Sequence, residues 1–244
     1  MLVVQMRVIP VVDIKNGVAV QARAGNREKY KPVESVLTTS LNPIQVANAL
    51  KKLNARELYV ADLDAIERSG SNLGSVLGIK ELGFDVLFDC GISGVEDLEK
   101  LLDIGRPVIG TETLSSLEEL AKITRVCETV LSLDFKGDGL LTKIEELRGV
   151  EIEELIKTLS SYDIAEIIYL DLERVGMSCG MREEVIKRMV QATSIPLLVG
   201  GGINDISDIR RMQALGVSGV LVATAIHRGR ITKEDLLPDV PLSQ

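Results

Sequence analysis

Two aspartates end apolar runs in the two halves of the chain, in Val11-Val12-Asp13 and in Ser132-Leu133-Asp134. Each is followed by a lysine and a glycine: Lys15 and Gly17 after the first, Lys136 and Gly137 after the second. Carboxylates facing one another in a partly desolvated mouth divide into an acid and a base when their surroundings separate their pKa values. An aspartate after a strand also serves as a turn former or helix cap. The shared context makes Asp13 and Asp134 the expected catalytic pair. Asp62 and Asp171 end two further apolar runs, and they either reach a substrate or hold loops in place. Lys15, Lys136, Arg23 and Arg174 are candidate anion contacts, with surface solvation as the plainer alternative. The only histidine, His227, lies past the last apolar run and gives a histidine-based catalyst no support. Cys90 and Cys179 lack a histidine partner for thiolate chemistry. The acidic residues show no metal-ligand spacing, so neither metal nor cofactor is expected.

A second chemical feature is the run Ile195 to Val199, which empties into Gly200-Gly201-Gly202. Helical spacing follows, with Ile206, Ile209, Met212 and Leu215 on one face. A strand, a glycine turn and a helix start leave backbone N–H groups free for a phosphate. The run Gly219 to Ala225 repeats the plan with small residues at its end. Side by side, the two turns could share one phosphate. Glycines alone would license no more than tight turns.

These residues need a scaffold that brings strand ends together. Short β-rich runs recur at Arg7–Val12, Glu57–Ala61, Asp85–Asp89, Pro107–Gly110, Thr129–Leu133, Glu166–Leu170, Pro196–Val199 and Gly219–Ala223. Helical spacing separates them: Val46, Ala49, Leu50 and Leu53; Val76, Ile79 and Leu82; Leu98, Leu101 and Leu102; Leu117, Leu120 and Ile123; Ile152, Leu155 and Leu159. Continuously apolar strands are those of a parallel sheet buried on both faces. Eight such units predict a (βα)8 TIM barrel over residues 1–244, with a doubly wound sheet as the alternative. Its chemistry belongs at the strand C-termini. The chain also repeats itself. Asp89-Cys-Gly-Ile92 aligns with Gly200-Gly-Gly-Ile203, Val108-Ile-Gly-Thr111 with Leu221-Val-Ala-Thr224, and Tyr59-Val-Ala-Asp62 with Ile168-Tyr-Leu-Asp171. Two half-barrels, about 1–125 and 126–244, are therefore expected. A two-fold mouth suits an elongated substrate with a phosphate at each end. The long polar loop from Ile14 to Leu41 is either a lid or a disordered excursion.

Composition narrows the partners. The net charge of −8, without a basic run and with three Phe and four Tyr, argues against a nucleic-acid surface. A small anionic substrate remains compatible, since local dipoles outweigh a distant net charge. Three scattered cysteines suit a reducing compartment. The apolar start lacks a basic region and a cleavage site, and no run is long enough to span a membrane. A cytoplasmic monomer or small homo-oligomer is the expectation.

Taken together, Ile9-Pro-Val-Val-Asp-Ile-Lys-Asn-Gly17, Val60-Ala-Asp-Leu-Asp64, Ser132-Leu-Asp134, Val199-Gly-Gly-Gly-Ile203 and Ala223-Thr-Ala225 resemble the histidine-biosynthesis barrels. The likeness spans the whole chain. Asp62-Leu-Asp64 looks closer to the phosphoribosylformimino-aminoimidazole-carboxamide ribotide isomerase branch than to its cyclase relative. The resemblance implies a cofactor-free Amadori rearrangement of a phosphorylated aminoaldose to an aminoketose. It implies Asp13 as the general base at the sugar C2 and Asp134 as the general acid that opens the ring. It also implies one phosphate on Gly201, Gly202, Ala223 and Thr224 and a second on Gly91, Gly110 and Thr111. Several positions depart from the family pattern: Asp89-Cys-Gly-Ile-Ser93 replaces Gly-Gly-Gly-Ile-Arg, Leu170 replaces a threonine, Arg174-Val-Gly-Met177 replaces Arg-Asp-Gly-Thr, and Gln21 replaces an arginine. Lost polar contacts cost about 1–3 kcal/mol each. Two enzyme readings follow, an isomerase of the histidine pathway that tolerates these changes and a diverged isomerase on another phosphorylated small molecule, with a non-catalytic phosphometabolite-binding protein as the alternative.

Overall fold

The computed structural model describes residues 6–98, 101 and 103–236. The eight predicted strands all form, as β1 (Arg7–Lys15), β4 (Glu57–Asp62), β5 (Asp85–Asp89), β6 (Arg106–Gly110), β7 (Thr129–Lys136), β9 (Ile164–Asp171), β10 (Leu197–Gly200) and β11 (Gly219–Val222). They pair in parallel in chain order, and β11 closes on β1 through Arg7↔Gly219 to Pro10↔Val222. The result is a (βα)8 TIM barrel. Three short antiparallel strands decorate its rim: β2 (Val18–Gln21), β3 (Lys31–Pro32) and β8 (Gly139–Leu140).

Continuous apolarity in the strands serves two cores, because successive side chains point to opposite faces. Ile9, Tyr59, Leu87, Val108, Val130, Ile168, Leu198 and Leu221 fill the barrel interior. Leu58, Val60, Val86, Phe88, Leu131 and Tyr169, one step away, meet the helices outside. Those helices include α1 (Pro43–Lys51), α3 (Leu73–Lys80), α4 (Leu117–Val126), α5 (Ile152–Leu159), α6 (Glu183–Ala192) and α7 (Ile206–Ala214). Local chemistry starts several of them. Asn42 accepts from the N–H groups of Ile44 and Gln45 ahead of Pro43, Ser116 caps α4 and Asp205 caps α7. Two one-turn helices, α2 (Leu63–Ile66) and α8 (Thr224–His227), sit directly on strand ends at the mouth.

The third unit departs from the predicted pattern. Between β5 and β6 the described residues form a 3-10 turn at Val95–Asp97, and Leu102 lies outside the described residues. Leu101 N–H donates to Leu98 and Ile104 N–H to Leu101, so the apolar residues here follow a period of three. No α-helix forms across this described stretch.

The N-terminal end of the barrel is plugged by charge. Arg7 takes Glu57 bidentately at 2.6 and 2.8 Å and also pairs with Glu166. Arg106 bridges Glu57 at 2.9 Å and Glu166 at 3.1 Å. Every charge in this ring faces an opposite one.

Candidate active site

Pleat parity decides which aspartates enter the barrel. Asp13 follows Ile9 and Val11 inward, Asp89 follows Leu87, and Asp134 follows Val130. The parallel register aligns Asp13 with Ala61 and Ala61 with Asp89 across neighbouring strands. All three carboxylates border one cavity of about 150 Å³ at the C-terminal mouth, together with Arg27, Tyr59, Glu112, Gly201, Gly202, Ala223 and Thr224. Sequence reasoning treated Asp89 as a neighbour of a phosphate cradle. The structure makes it a third carboxylate of the mouth, and the period of two from Leu87 was the signal that would have found it.

Burial dominates the chemistry of this trio. Desolvation pushes Asp13 up to about 7, with the nearby Arg27 guanidinium opposing and Asp89 adding to the rise. Asp134 is also pushed up to about 7 by burial, reinforced by Asp89 and opposed by the Ser132 hydroxyl, which donates to Oδ1 at 2.8 Å. Asp89 rises to about 6, held back by N–H of Gly91 at 3.1 Å and by the Tyr59 hydroxyl at 3.1 Å. Among the described residues nothing donates a hydrogen bond to the Asp13 carboxylate. Two carboxyls poised near neutrality in one pocket are what acid–base exchange needs.

The glycine turn opens on the same cavity. Gly201 and Gly202 adopt φ of +93° and +100°. A Cβ there would lie 2.4 Å from the Asp171 carbonyl oxygen and 2.2 Å from that of Gly180. Only glycine fits either position. Among the described residues the N–H groups of Gly202, Ala223 and Thr224 find no turn or side-chain acceptor, and Gln21 Nε2 reaches Thr224 Oγ1 at 3.4 Å. Gly202, Ala223 and Thr224 all border the cavity.

The corresponding residues of the first half are arranged differently. Gly91 gives its N–H to Asp89, and Thr111, fully buried, gives its N–H to the Ser132 carbonyl at 3.0 Å. Gly91 backs onto Ile66, where a Cβ would lie 2.7 Å from the Cα. Gly110 packs beside Asp134, its would-be Cβ 3.4 Å from Oδ2. None of Gly91, Gly110 and Thr111 borders the cavity. The anion acceptor on this side is the protein's own Asp89.

The other candidates are loop fasteners. Asp62 and Asp171 lie one residue past the inward Ala61 and Leu170, so parity turns them away from the cavity. Asp62 caps α2 through Ala65 N–H and takes the Asn72 N–H at 2.6 Å and its Nδ2 at 2.7 Å. Asp171 pairs with Arg174 at 3.2 Å and Arg182 at 3.6 Å. Arg174 also holds the carbonyls of Cys179 and Gly180. Lys15 pairs with Glu67 at 2.9 Å. None of these four borders the cavity. His227 is buried and bonds Ser35 at 2.9 Å, with burial pushing it down to about 4, while burial pushes the Cys90 thiol up to about 12.

The long first loop is ordered. It carries β2, a 3-10 turn at Arg27–Lys29 and β3. Ala24 N–H donates to the Val175 carbonyl at 2.9 Å, which seams this loop to the one after β9. Arg27 reaches across the mouth and grips Glu112 with two bonds, at 2.7 and 2.9 Å. Arg27, Tyr30 and Glu112 thus border the cavity, although Arg27 and Tyr30 were legible only as part of a charged loop.

Residues 7–232, from the first barrel strand to beyond the last, match the family described as histidine biosynthesis protein. The chain belongs to that family. A relative from Methanocaldococcus jannaschii, described as uncharacterized, is 38% identical over 237 residues, covering 95% of this chain and 98% of its own. Relatives from Methanosphaera stadtmanae and Syntrophobacter fumaroxidans are each 32% identical, covering 95% and 96% of this chain and 98% and 93% of theirs. Both are named as phosphoribosyl imidazole-4-carboxamide isomerases. Within this histidine-biosynthesis barrel, Leu170, Leu172 and Val175 present apolar surface to the cavity. Among the described residues no helix is long and apolar enough to cross a membrane.

Proposed function

We propose that the protein is an aldose–ketose isomerase of the histidine-biosynthesis type, acting on a phosphorylated aminoaldose. One observation carries the reading. Asp13 and Asp134, both pushed to about 7, share a cavity with unspent N–H groups at Gly202, Ala223 and Thr224. The phosphate anchors on that turn pair, with Gly201 and Gly202 letting the backbone approach closely. Asp134, protonated, gives its proton to the ring oxygen as the C1–O bond breaks, leaving a C1 iminium. Asp13, ionised, removes the C2 proton, and the C–H pair becomes the C1–C2 double bond of an enaminol. Transfer of the O2 proton to C1 completes the aminoketose. One proton is given and one taken, so no electrons enter or leave.

The apolar Leu170, Leu172 and Val175 favour a substrate other than the doubly phosphoribosylated compound of the named isomerases. They offer no hydrogen bond to a second sugar phosphate. The same residues are what a non-catalytic phosphometabolite binder would show. The test is NMR in heavy water with two aminoaldoses: the relatives' bis-phosphoribosyl compound, and the N-glycoside formed from aniline and ribose 5-phosphate. Ketose should accumulate from the second with deuterium at its C1, and the first should be slower by at least about tenfold. Phosphate binding without exchange in either would sink the isomerase reading in favour of the binder.

A further inference from the structure

We infer that the ligand of this mouth is a monophosphate whose far end carries a protonated amine rather than a second phosphate. The inference rests on the phosphate placement proposed above and names the chemistry of the opposite wall. Across the barrel from the β10 and β11 turns, Asp89 ends β5 and Glu112 follows β6, with Asp134 beside them on β7 and Asp13 on β1 next to β11; Arg27 is the only cation bordering the cavity among the described residues. Arg27 is already neutralised, since both of its Nη groups lie on Glu112 at 2.7 and 2.9 Å. The backbone donors that would receive an anion there are spent. Gly91 N–H goes to Asp89 Oδ1, and Thr111 N–H goes to the Ser132 carbonyl.

A second phosphate would therefore face buried carboxylates, with uncharged hydroxyls such as that of Tyr30 and no unpaired cation among the described residues to offset the repulsion. An ammonium or amidinium finds the reverse. Asp89 is 8% exposed and fixed on its two oxygens by Gly91 N–H and the Tyr59 hydroxyl, each leaving lone pairs toward the cavity. Asp13, with no donor of its own, stands next to it across Ala61 in the sheet register. A cation seated between them removes the mutual repulsion that burial has built in.

The test is calorimetric titration of the full chain at pH 7 with inorganic phosphate, glucose 6-phosphate, glucosamine 6-phosphate, N-acetylglucosamine 6-phosphate, fructose 6-phosphate and fructose 1,6-bisphosphate. Glucosamine 6-phosphate should bind about tenfold tighter than glucose 6-phosphate. N-acetylation, which removes the charge, should abolish the advantage, and the bisphosphate should bind no tighter than fructose 6-phosphate. In Asp89→Asn the amine preference should shrink to about twofold or less while glucose 6-phosphate affinity holds. A bisphosphate that binds tightest, or an amine preference that survives Asp89→Asn, overturns the inference. If that variant does not fold, the N-acetyl comparison on the unaltered chain decides. Binding of phosphate and hexose monophosphates without amine preference defeats this inference alone. Absence of any phosphate binding defeats the cradle itself, and this inference with it.

Discussion

The two ends of the barrel use the same residue types to opposite effect. At the N-terminal end Arg7 and Arg106 alternate with Glu57 and Glu166, and each charge meets its opposite within hydrogen-bond distance. At the C-terminal end Asp13, Asp89 and Asp134 crowd together, and the nearby Arg27 is spent on Glu112. The first arrangement leaves no group with an unmet partner, and so has nothing to offer a ligand. The second keeps carboxyls near neutrality and amides without acceptors, an arrangement that stays costly until something binds. A difference in charge compensation, rather than in composition, separates scaffold from site.

The contrast is open to attack from several sides. The largest effect is expected for Asp13→Asn, which should lower isomerase turnover by about a thousandfold. Turnover of the unaltered chain should peak near pH 7 and fall on either side, with the two apparent pKa values belonging to the Asp13–Asp134 pair. Next comes Gly202→Ala. Its Cβ would collide with the Gly180 carbonyl, so inorganic phosphate affinity measured by calorimetry should fall about thirtyfold. Gly91→Ala should unsettle the Ile66 contact yet leave phosphate affinity alone, and a matching loss of binding would erase the distinction between the two halves.

At the compensated end, Glu166→Ala removes one of the two carboxylates that Arg7 and Arg106 share and leaves both on Glu57. It should cost about 2 kcal/mol and lower Tm by about 5 °C, with phosphate binding unchanged. The smallest effect has the opposite sign. A carboxyl whose pKa rises on folding, from 3.8 to about 7 for Asp13, binds protons more tightly in the folded state. Its stabilising contribution is full below pH about 4 and is lost as pH climbs towards 7. Asp13→Asn should therefore raise Tm by about 3 °C at pH 8 and not at pH 4. Equal shifts at both pH values would show that Asp13 is not held out of water.

Much of this was legible in the residues. The apolar runs located all eight strands because a strand buried on both faces has no room for polar alternation. The glycine turn located part of the mouth, because consecutive glycines after a strand mark backbone that must pass close to its neighbours. Other features lay deeper. The sequence reading grouped Asp62 and Asp171 with Asp13 and Asp134 as strand-end acids. Counting by two from an inward residue separates them, and the same count admits Asp89. Arg27 could not be found that way, because a loop residue has no periodicity and its place depends on Glu112, far along the chain. Among the described residues of the third unit, Leu98, Leu101 and Ile104 follow a period of three, which at this length resembles helical spacing.

Asp62-Leu-Asp64 shows what such a motif can report. Asn72 ties Asp62 to Asp64, its Oδ1 accepts from Gly17 N–H at 3.0 Å, and Asp64 takes Asn16 N–H at 2.7 Å. Asn16 and Gly17 both hold positive φ, as the tight hairpin after β1 demands. The motif therefore fastens the start of the loop that carries Arg27 over the mouth, and neither of its aspartates borders the cavity. Two barrels that share it share a way of hanging their first loop. As a genealogical character it can persist through every change of diet.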